Sequence, residues 1–334
     1  MKVSEYVSLG HPDKVCDYIS ERILDEYIKQ DPKTRYALEV QAKDNYINLA
    51  GEITSTANVN VSDIAKAALA EIGYTEEYRR KWGDENTISD VCAQVSSRIS
   101  KQSPDIAQGL SGWGDQGIFT GMAYNNVLTD YFFPDYFYAK ELCNELFRSG
   151  IGGLDIKTQV YMTDDYSRVE MVVVAIPLLH DEDKKFVSDL VHKIIPGDFK
   201  LVINGTGRYV KHNTYGDCGV TGRKLAVDFY GGGCEVGGGS PWTKDGSKAD
   251  LTLNMLARSL ALRYLREHAL PFVKCKLACI IGRTNVLISF YDEAGKLLSD
   301  GEYFVSPEKL IKQFGLDKPV FAELCRDGLF SKIK

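Results

Sequence analysis

Twelve of the chain's 30 glycines fall between Gly205 and Gly246, inside the stretch NGTGRYVKHNTYGDCGVTGRKLAVDFYGGGCEVGGGSPWTKDGSKAD, residues 204–250. A flexible linker would be rich in serine and poor in aromatic and charged residues. Here glycine is interleaved with Arg208, Arg223, Lys224, Lys244 and Lys248, and with Asp217, Asp228, Asp245 and Asp250. Glycines let backbone N–H groups come close to a ligand, and Arg and Lys supply the counter-charge that several phosphates need. The carboxylates fit the same ligand, because Mg²⁺ that accompanies a polyphosphate takes one or two carboxylates with water and phosphate oxygens. Neither G-x-x-x-x-G-K-[ST] nor a post-strand G-x-G-x-x-G is present, so a phosphate site here has another design than the P-loop or dinucleotide fold.

At 334 residues the chain is long enough for two or three domains. Its apolar fraction of 44%, charged fraction of 26% and net charge of −6 are those of a globular protein and argue against a nucleic-acid binder. No apolar run reaches membrane-spanning length, and MKVSEYVSLGHPDK lacks the apolar core of a signal peptide, so a cytoplasmic protein with no membrane partner is expected. The eight cysteines form no C-x-x-C pair and are expected to be reduced thiols.

Val15, Ile19, Ile23, Leu24, Tyr27 and Ile28 recur at helical spacing, which predicts a helix from about Pro12 to Ile28. Pro12 suits its first position and puts His11 at the N-cap, with Asp13 and Lys14 in the first turn. His11 and Lys14 could then meet a phosphate while Asp13 holds a metal. Tyr36 to Thr54 reads as a hairpin around Lys43-Asp44-Asn45, with Glu39 and Glu52 on its arms; a carboxylate facing inward there would need a cation. Helices are expected at 61–72 and 88–99, joined by a solvated TEEYRRKWGDEN, and the Gly/Ser-containing segment 101–117 reads as a loop able to close over a ligand. Further helices are expected at 139–146, 181–192, 251–268 and 307–314, and strands at 156–162, 169–176, 201–204, 274–281 and 286–291. Strands and helices in short alternating groups predict an α+β protein of packed sheet-and-helix layers.

GHPDK at 10–14, GEIT at 51–54, KQSPDI at 101–106, GDQG at 114–117, GDCGVTGRK at 216–224 and KDGSKAD at 244–250 closely resemble S-adenosylmethionine synthetase (methionine adenosyltransferase). The resemblance implies three similar sheet-and-helix domains with pseudo-threefold symmetry, here divided as 1–103, 112–211 and 212–334 and discontinuous in detail. It implies a homodimer, or a tetramer, with active sites at the subunit interface. The reaction it implies joins the adenosyl group of ATP to the sulfur of L-methionine and then hydrolyses tripolyphosphate to pyrophosphate and phosphate. By the same resemblance His11 steadies the departing oxygen, and Lys157, Arg223, Lys224 and Lys244 contact phosphates. Asp13 and Asp250 would hold two Mg²⁺ ions and Glu39 a K⁺. Asp115 and Asp155 look like ribose contacts, Arg208 and Tyr209 like adenine contacts, and Ser240 lies on the ATP side. Glu52, Gln102, Asp217 and Lys248 look like the methionine site, with Asp217 also facing the nucleotide.

The chain departs from the family pattern in several places. The loop between KQSPDI and GDQG is shorter than the family's gating loop. Val236 stands for a usual His, Ser240-Pro241-Trp242-Thr243 for Ala-Phe-Ser-Gly, Gly205 for Pro, Tyr209 for Phe and Leu251 for Arg, and the closing HFGR and FPW segments are missing. None of these removes a charged residue named above, so an active but trimmed enzyme is expected. A tripolyphosphate hydrolase and a non-catalytic nucleotide-binding regulatory subunit are the alternatives.

Overall fold

A computed structural model describes residues 1–101 and 112–333. The chain opens with strand β1 (Lys2–Val7) and helix α1 (Pro12–Gln30), then the hairpin β2 (Arg35–Lys43) and β3 (Tyr46–Thr54). Helices α2 (Val61–Ile72) and α3 (Glu76–Trp82) lead to β4 (Gln94–Ser100) and β5 (Gly117–Tyr124). Next come α4 (Pro134–Ser149), the hairpin β6 (Lys157–Met162) and β7 (Val169–Ala175), α5 (Lys184–Ile194) and β8 (Lys200–Ile203). The glycine-rich stretch holds only α6 (Asn213–Gly216), the two-residue β9 (Gly219–Val220) and α7 (Leu225–Asp228). After it run α8 (Ala249–His268), β10 (Phe272–Cys279), β11 (Asn285–Tyr291), β12 (Leu297–Phe304), α9 (Pro307–Phe314) and α10 (Phe321–Asp327).

The strands form three four-stranded sheets, β1-β6-β7-β8, β9-β2-β3-β4 and β5-β10-β11-β12. Each sheet packs one face on a long helix, α4, α1 and α8 respectively, and each long helix has a second helix beside it: α5, α2 and α9. This is the expected α+β architecture. Each sheet is completed by an edge strand from another part of the chain: β1 joins β6, β9 joins β2, and β5 joins β10, all antiparallel. The first two sheets then add a parallel strand after a helical crossover, β8 on β7 and β4 on β3. The third departs from this, because β12 folds straight back on β11 as an antiparallel neighbour.

Two sequence expectations are overturned between residues 75 and 100. Ile88, Cys92, Val95 and Ile99 have helical spacing, yet residues 94–100 form β4, which satisfies the edge of β3 in parallel register from Tyr46↔Gln94 to Glu52↔Ser100. The connection before it is also not a solvated linker. Thr75 caps α3 through its side chain, and Trp82 at the far end is 3% exposed. Strands β5 and β12 and helix α10 carried no sequence expectation. β5 is buried along most of its length, so it lacks the alternation that marks a half-buried strand.

Candidate active site

The N-terminus of α1 is the centre of the site. His11 is its N-cap, and its Nδ1 accepts the backbone N–H of Asp13 at 3.1 Å. An imidazole nitrogen that accepts must be unprotonated, so the ring proton sits on Nε2. Burial, reinforced by Lys224, Lys157, Lys14 and Arg223, holds the His11 pKa down to about 2, and the ring is neutral at physiological pH. A neutral Nε2–H donor surrounded by cations can hydrogen-bond a developing anion without first taking a proton.

Asp13 is 1% exposed. Its Oδ1 accepts the N–H of Val220 at 2.9 Å, and its Oδ2 accepts Lys224 Nζ at 2.5 Å. Arg223 Nε lies 3.9 Å from the same carboxylate. Asp155, also buried, accepts the N–H of Asn213 at 2.9 Å on Oδ2, while Oδ1 has no partner among the described residues. Burial raises its pKa to about 6 against opposing hydrogen bonds from Asn213 and Tyr209 and the pull of Lys157. The Tyr209 hydroxyl donates to the Asp155 carbonyl at 3.1 Å. Asn213 also donates through Nδ2 to the Gly10 carbonyl at 2.8 Å, which ties the residue before His11 to Asp155. His11, Asp13, Asp155, Lys157, Tyr209, Asp217, Arg223 and Lys224 therefore act on one another in a single electrostatic neighbourhood.

A second group lines a cavity of about 440 Å³ that includes Glu52, Asp115, Lys244, Lys248 and Asp250. Lys244 Nζ lies 2.5 Å from Asp250 Oδ2, and the N–H of Gly239 donates to Asp250 Oδ1 at 2.8 Å. Ser240 links the two groups: it follows Gly239 and packs against Gly222, the residue before Arg223. Arg208 stands apart and lines a separate cleft of about 310 Å³ with Tyr209, His180 and Asp181. Gln102 lies outside the described residues, as does most of the short loop. The far end of that loop is anchored, since Trp113 is fully buried and exchanges backbone hydrogen bonds with Arg283 and Gly282.

Two sequence expectations change here. Lys14 is 4% exposed and is consumed inside the protein, where its ammonium lies 2.6 Å from Asp228, 3.1 Å from Asp17 and 4.7 Å above the Trp242 ring. It is not free for a phosphate. Glu39 does not face inward either. Leu38, Val40 and Ala42 take the face of β2 covered by α1, which leaves Glu39 and Glu52 on the open face. Glu39 finds its partners there, the hydroxyls of Thr221 and Thr243.

The sequence reading missed a ladder of acids on α1. Asp13, Asp17, Glu21 and Asp25 recur every fourth residue, so they lie along one side of the helix. Each accepts backbone N–H groups from distant segments: Val220 on Asp13, Gly222 on Asp17 at 2.8 Å, Thr243 on Glu21 at 2.6 Å, and Phe321 and Ala322 on Asp25. Gly222 precedes Arg223-Lys224 and Thr243 precedes Lys244, so the ladder fixes the two cation-bearing turns. Four acids at every fourth position of α1 were the available signal.

The family description "S-adenosylmethionine synthetase, N-terminal domain" matches residues 1–104, and "S-adenosylmethionine synthetase, C-terminal domain" matches residues 212–334. The chain belongs to the S-adenosylmethionine synthetase family. S-adenosylmethionine synthases of Mesoplasma florum and of Mycoplasma mycoides subsp. mycoides are each 33% identical over 98% of this chain, covering 94% and 92% of their own lengths. The solved structure of an unusual S-adenosylmethionine synthetase from Campylobacter jejuni superposes with a TM-score of 0.88 at 28% identity, over 99% of this chain and 94% of that one. The family is generally metal-dependent. Among the described residues no three His, Cys, Asp or Glu side chains converge as a complete metal set. Asp13 and Asp250 are single carboxylates beside phosphate-type cations, the donor set Mg²⁺ takes when phosphate oxygens and water complete its shell.

Proposed function

We propose that this chain makes S-adenosylmethionine from ATP and L-methionine, and that His11, with Nδ1 tied to the helix and a proton on Nε2, donates to O5′ as it departs. The methionine sulfur lone pair forms the new bond to C5′ while the C5′–O5′ bond breaks, and its electrons leave on tripolyphosphate. That leaving group carries most of the developing charge, so catalysis is chiefly positioning and electrostatic stabilisation. Lys157, Arg223, Lys224 and Lys244 hold the chain of phosphates. The Oδ1 of Asp155, without a partner among the described residues, suits a ribose hydroxyl donor, as does the carboxylate of Asp115 in the second group, and Tyr209 with Arg208 suits the adenine side. Glu52 and Lys248 share one cavity and offer both signs of charge to a zwitterionic amino acid, with Gln102 and Asp217 completing that subsite. Hydrolysis of tripolyphosphate to pyrophosphate and phosphate follows before release. Bound at Asp13 and Asp250, two Mg²⁺ ions would neutralise phosphate charge, and a K⁺ near Glu39 would sit among the oxygens of Thr221 and Thr243.

The open face of the β9-β2-β3-β4 sheet, which carries Glu39 and Glu52, supports a homodimer with active sites at the subunit interface, or a tetramer built from such dimers. No helix among the described residues is long and apolar enough to cross a membrane, and cytoplasmic action is proposed with it. The test is incubation with ATP, methionine, Mg²⁺ and K⁺, reading S-adenosylmethionine by mass spectrometry beside phosphate release. Product that requires methionine and disappears in His11→Ala is expected. Phosphate without adenosyl product would replace this reading with a tripolyphosphate hydrolase, and nucleotide binding with neither product with a regulatory subunit.

A further inference from the structure

Two carboxylates in this molecule are held in the same way. Asp13 lies in the first turn of α1, with Oδ1 on the N–H of Val220 and Oδ2 on the ammonium of Lys224. Asp250 lies in the first turn of α8, with Oδ1 on the N–H of Gly239 and Oδ2 on the ammonium of Lys244. In both clamps one glycine-rich turn gives a backbone donor and, four or five residues later, the lysine. Both ammonium–carboxylate separations are 2.5 Å. The third sheet-covering helix offers a comparison. Asp135 occupies the first turn of α4, but it accepts the Ser4 hydroxyl at 2.8 Å and its Oδ1 is unpartnered among the described residues. The turn is repeated three times, and the lysine is present only at the two acids that the reading above assigns to metal.

We propose that Lys224 and Lys244 are exchangeable counter-ions, each holding the carboxylate oxygen a divalent cation takes and leaving it only when a phosphate oxygen can receive the ammonium. This rests on the assignment of Asp13 and Asp250 made under the proposed function. A cation arriving alone would displace an ammonium with no anion to pair it, and at the Asp13 clamp into a neighbourhood already containing Arg223 and Lys157. A cation arriving with polyphosphate lets both charges find partners. Metal and polyphosphate therefore bind with positive coupling, and by linkage each raises the affinity of the other equally. The enzyme would thus take its metal with the nucleotide and resist loading by free cation.

The experiment is a titration of Mn²⁺ into the full-length wild type, Lys224→Met, Lys244→Met and Asp13→Asn, each with and without tripolyphosphate, read by equilibrium dialysis as Mn²⁺ retained with the protein beyond a protein-free control holding the same tripolyphosphate. Wild type is expected to bind Mn²⁺ at least about tenfold more tightly with tripolyphosphate than without it. Each lysine variant is expected to bind Mn²⁺ alone at least about tenfold more tightly than wild type, with reduced coupling, and Asp13→Asn to lose its tight site in both conditions. Lysine variants no tighter than wild type for Mn²⁺ alone, beside an intact tripolyphosphate-dependent site, would overturn the exchange and leave the metal assignment standing. Absence of any tripolyphosphate-dependent Mn²⁺ site in wild type would overturn both. The lysines belong to separate clamps, and both are partly exposed, so failure of one variant to fold leaves the other as the test.

Discussion

Replacing Glu21 by Gln separates hydrogen bonding from charge in the acid ladder. Glu21 is fully buried; Oε1 accepts the N–H of Thr243, and Oε2 has no partner among the described residues. Burial raises its pKa well above the ordinary carboxylate value, against the opposing Thr243 hydrogen bond, and the nearby Asp25 and Asp17 add to the rise. The side chain is therefore a neutral acid over a pH range in which the unfolded chain carries a carboxylate. A raised carboxyl pKa gives stability that is fully present below the unfolded value near 4.3 and is lost as pH rises toward the folded value. Glutamine keeps the accepting oxygen and has no such loss. Relative to wild type, Glu21→Gln should gain about 1.36 kcal/mol for each pH unit between the unfolded and the folded values. With about 2.1 cal/mol/K of unfolding entropy per residue over 334 residues, each such unit is a relative rise in Tm of about 2 °C. Glu21→Ala shares this loss of titration and should lie about 3 kcal/mol below Glu21→Gln at every pH, from an unpaired buried N–H and lost packing. Paired melting curves of the three proteins at pH 5, 6 and 7 test this. A Gln–wild type difference that stays flat, or turns against Gln as pH rises, would show that Glu21 is ionised and that the ladder binds Thr243 through charge.

Three further outcomes follow from the site. His11→Ala should lower kcat by about 10²- to 10³-fold through loss of one donor to the leaving oxygen, whereas His11→Asn should recover the N-cap stability, about 1 kcal/mol, without recovering kcat. An unchanged kcat in His11→Ala at saturating ATP would remove His11 from the chemistry. Because the pKa of Asp155 is raised to about 6, kcat/KM for ATP should fall tenfold per pH unit below that value in wild type and lose this slope in Asp155→Asn; a slope that survives belongs to another group. Gly219→Ala should destabilise strongly, since its Cβ would lie 2.3 Å from the Pro12 carbonyl oxygen, while Gly205→Ala meets only the Val202 side chain at 3.1 Å and should be nearly neutral by Tm.

Local pattern made α1, the β2–β3 hairpin, the β6–β7 hairpin and α8 readable, because the hairpin strands alternate and the apolar residues of both helices recur at helical spacing, although each helix is buried on more than one side. Segment 88–99 was not readable in that way. Its apolar spacing fits a helix, and what makes residues 94–100 a strand is the unpaired edge of β3, a partner some 50 residues away. The site divides along the same line. His11 and Asp13 announce themselves through Pro12 and the helix start, and the motif resemblance names Lys157, Arg223, Lys224 and Lys244. Lys14 misleads because its neighbours in sequence are site residues, while its partners Asp228 and Trp242 come from more than 200 residues away. The ladder acids were visible as a pattern, but their backbone partners are set by the path of the glycine-rich stretch.

That path accounts for the glycine density in a way that phosphate binding alone does not. The stretch visits all three sheets in turn. Gly219 presses on the Pro12 carbonyl at the start of α1, Gly231 lies against Ser4 of β1, and Gly237 lies against the backbone of Phe119 and Thr120 in β5; an added Cβ at each would approach to 2.3, 2.4 and 2.5 Å. Contacts that close exclude any side chain, so glycine is required wherever the segment crosses a sheet unit. Between the crossings the segment carries its cations: Arg223 and Lys224 after the first, Lys244 after the last. Because Asp17 and Glu21 hold the residues just before these cations, the position of each lysine is set by α1 and not by the loop's own conformation. The physical role of the stretch is then to bring charge from one continuous segment to the first turns of two different helices. A surface loop of the same composition, free of those crossings, would supply the same charge without fixing where it stands.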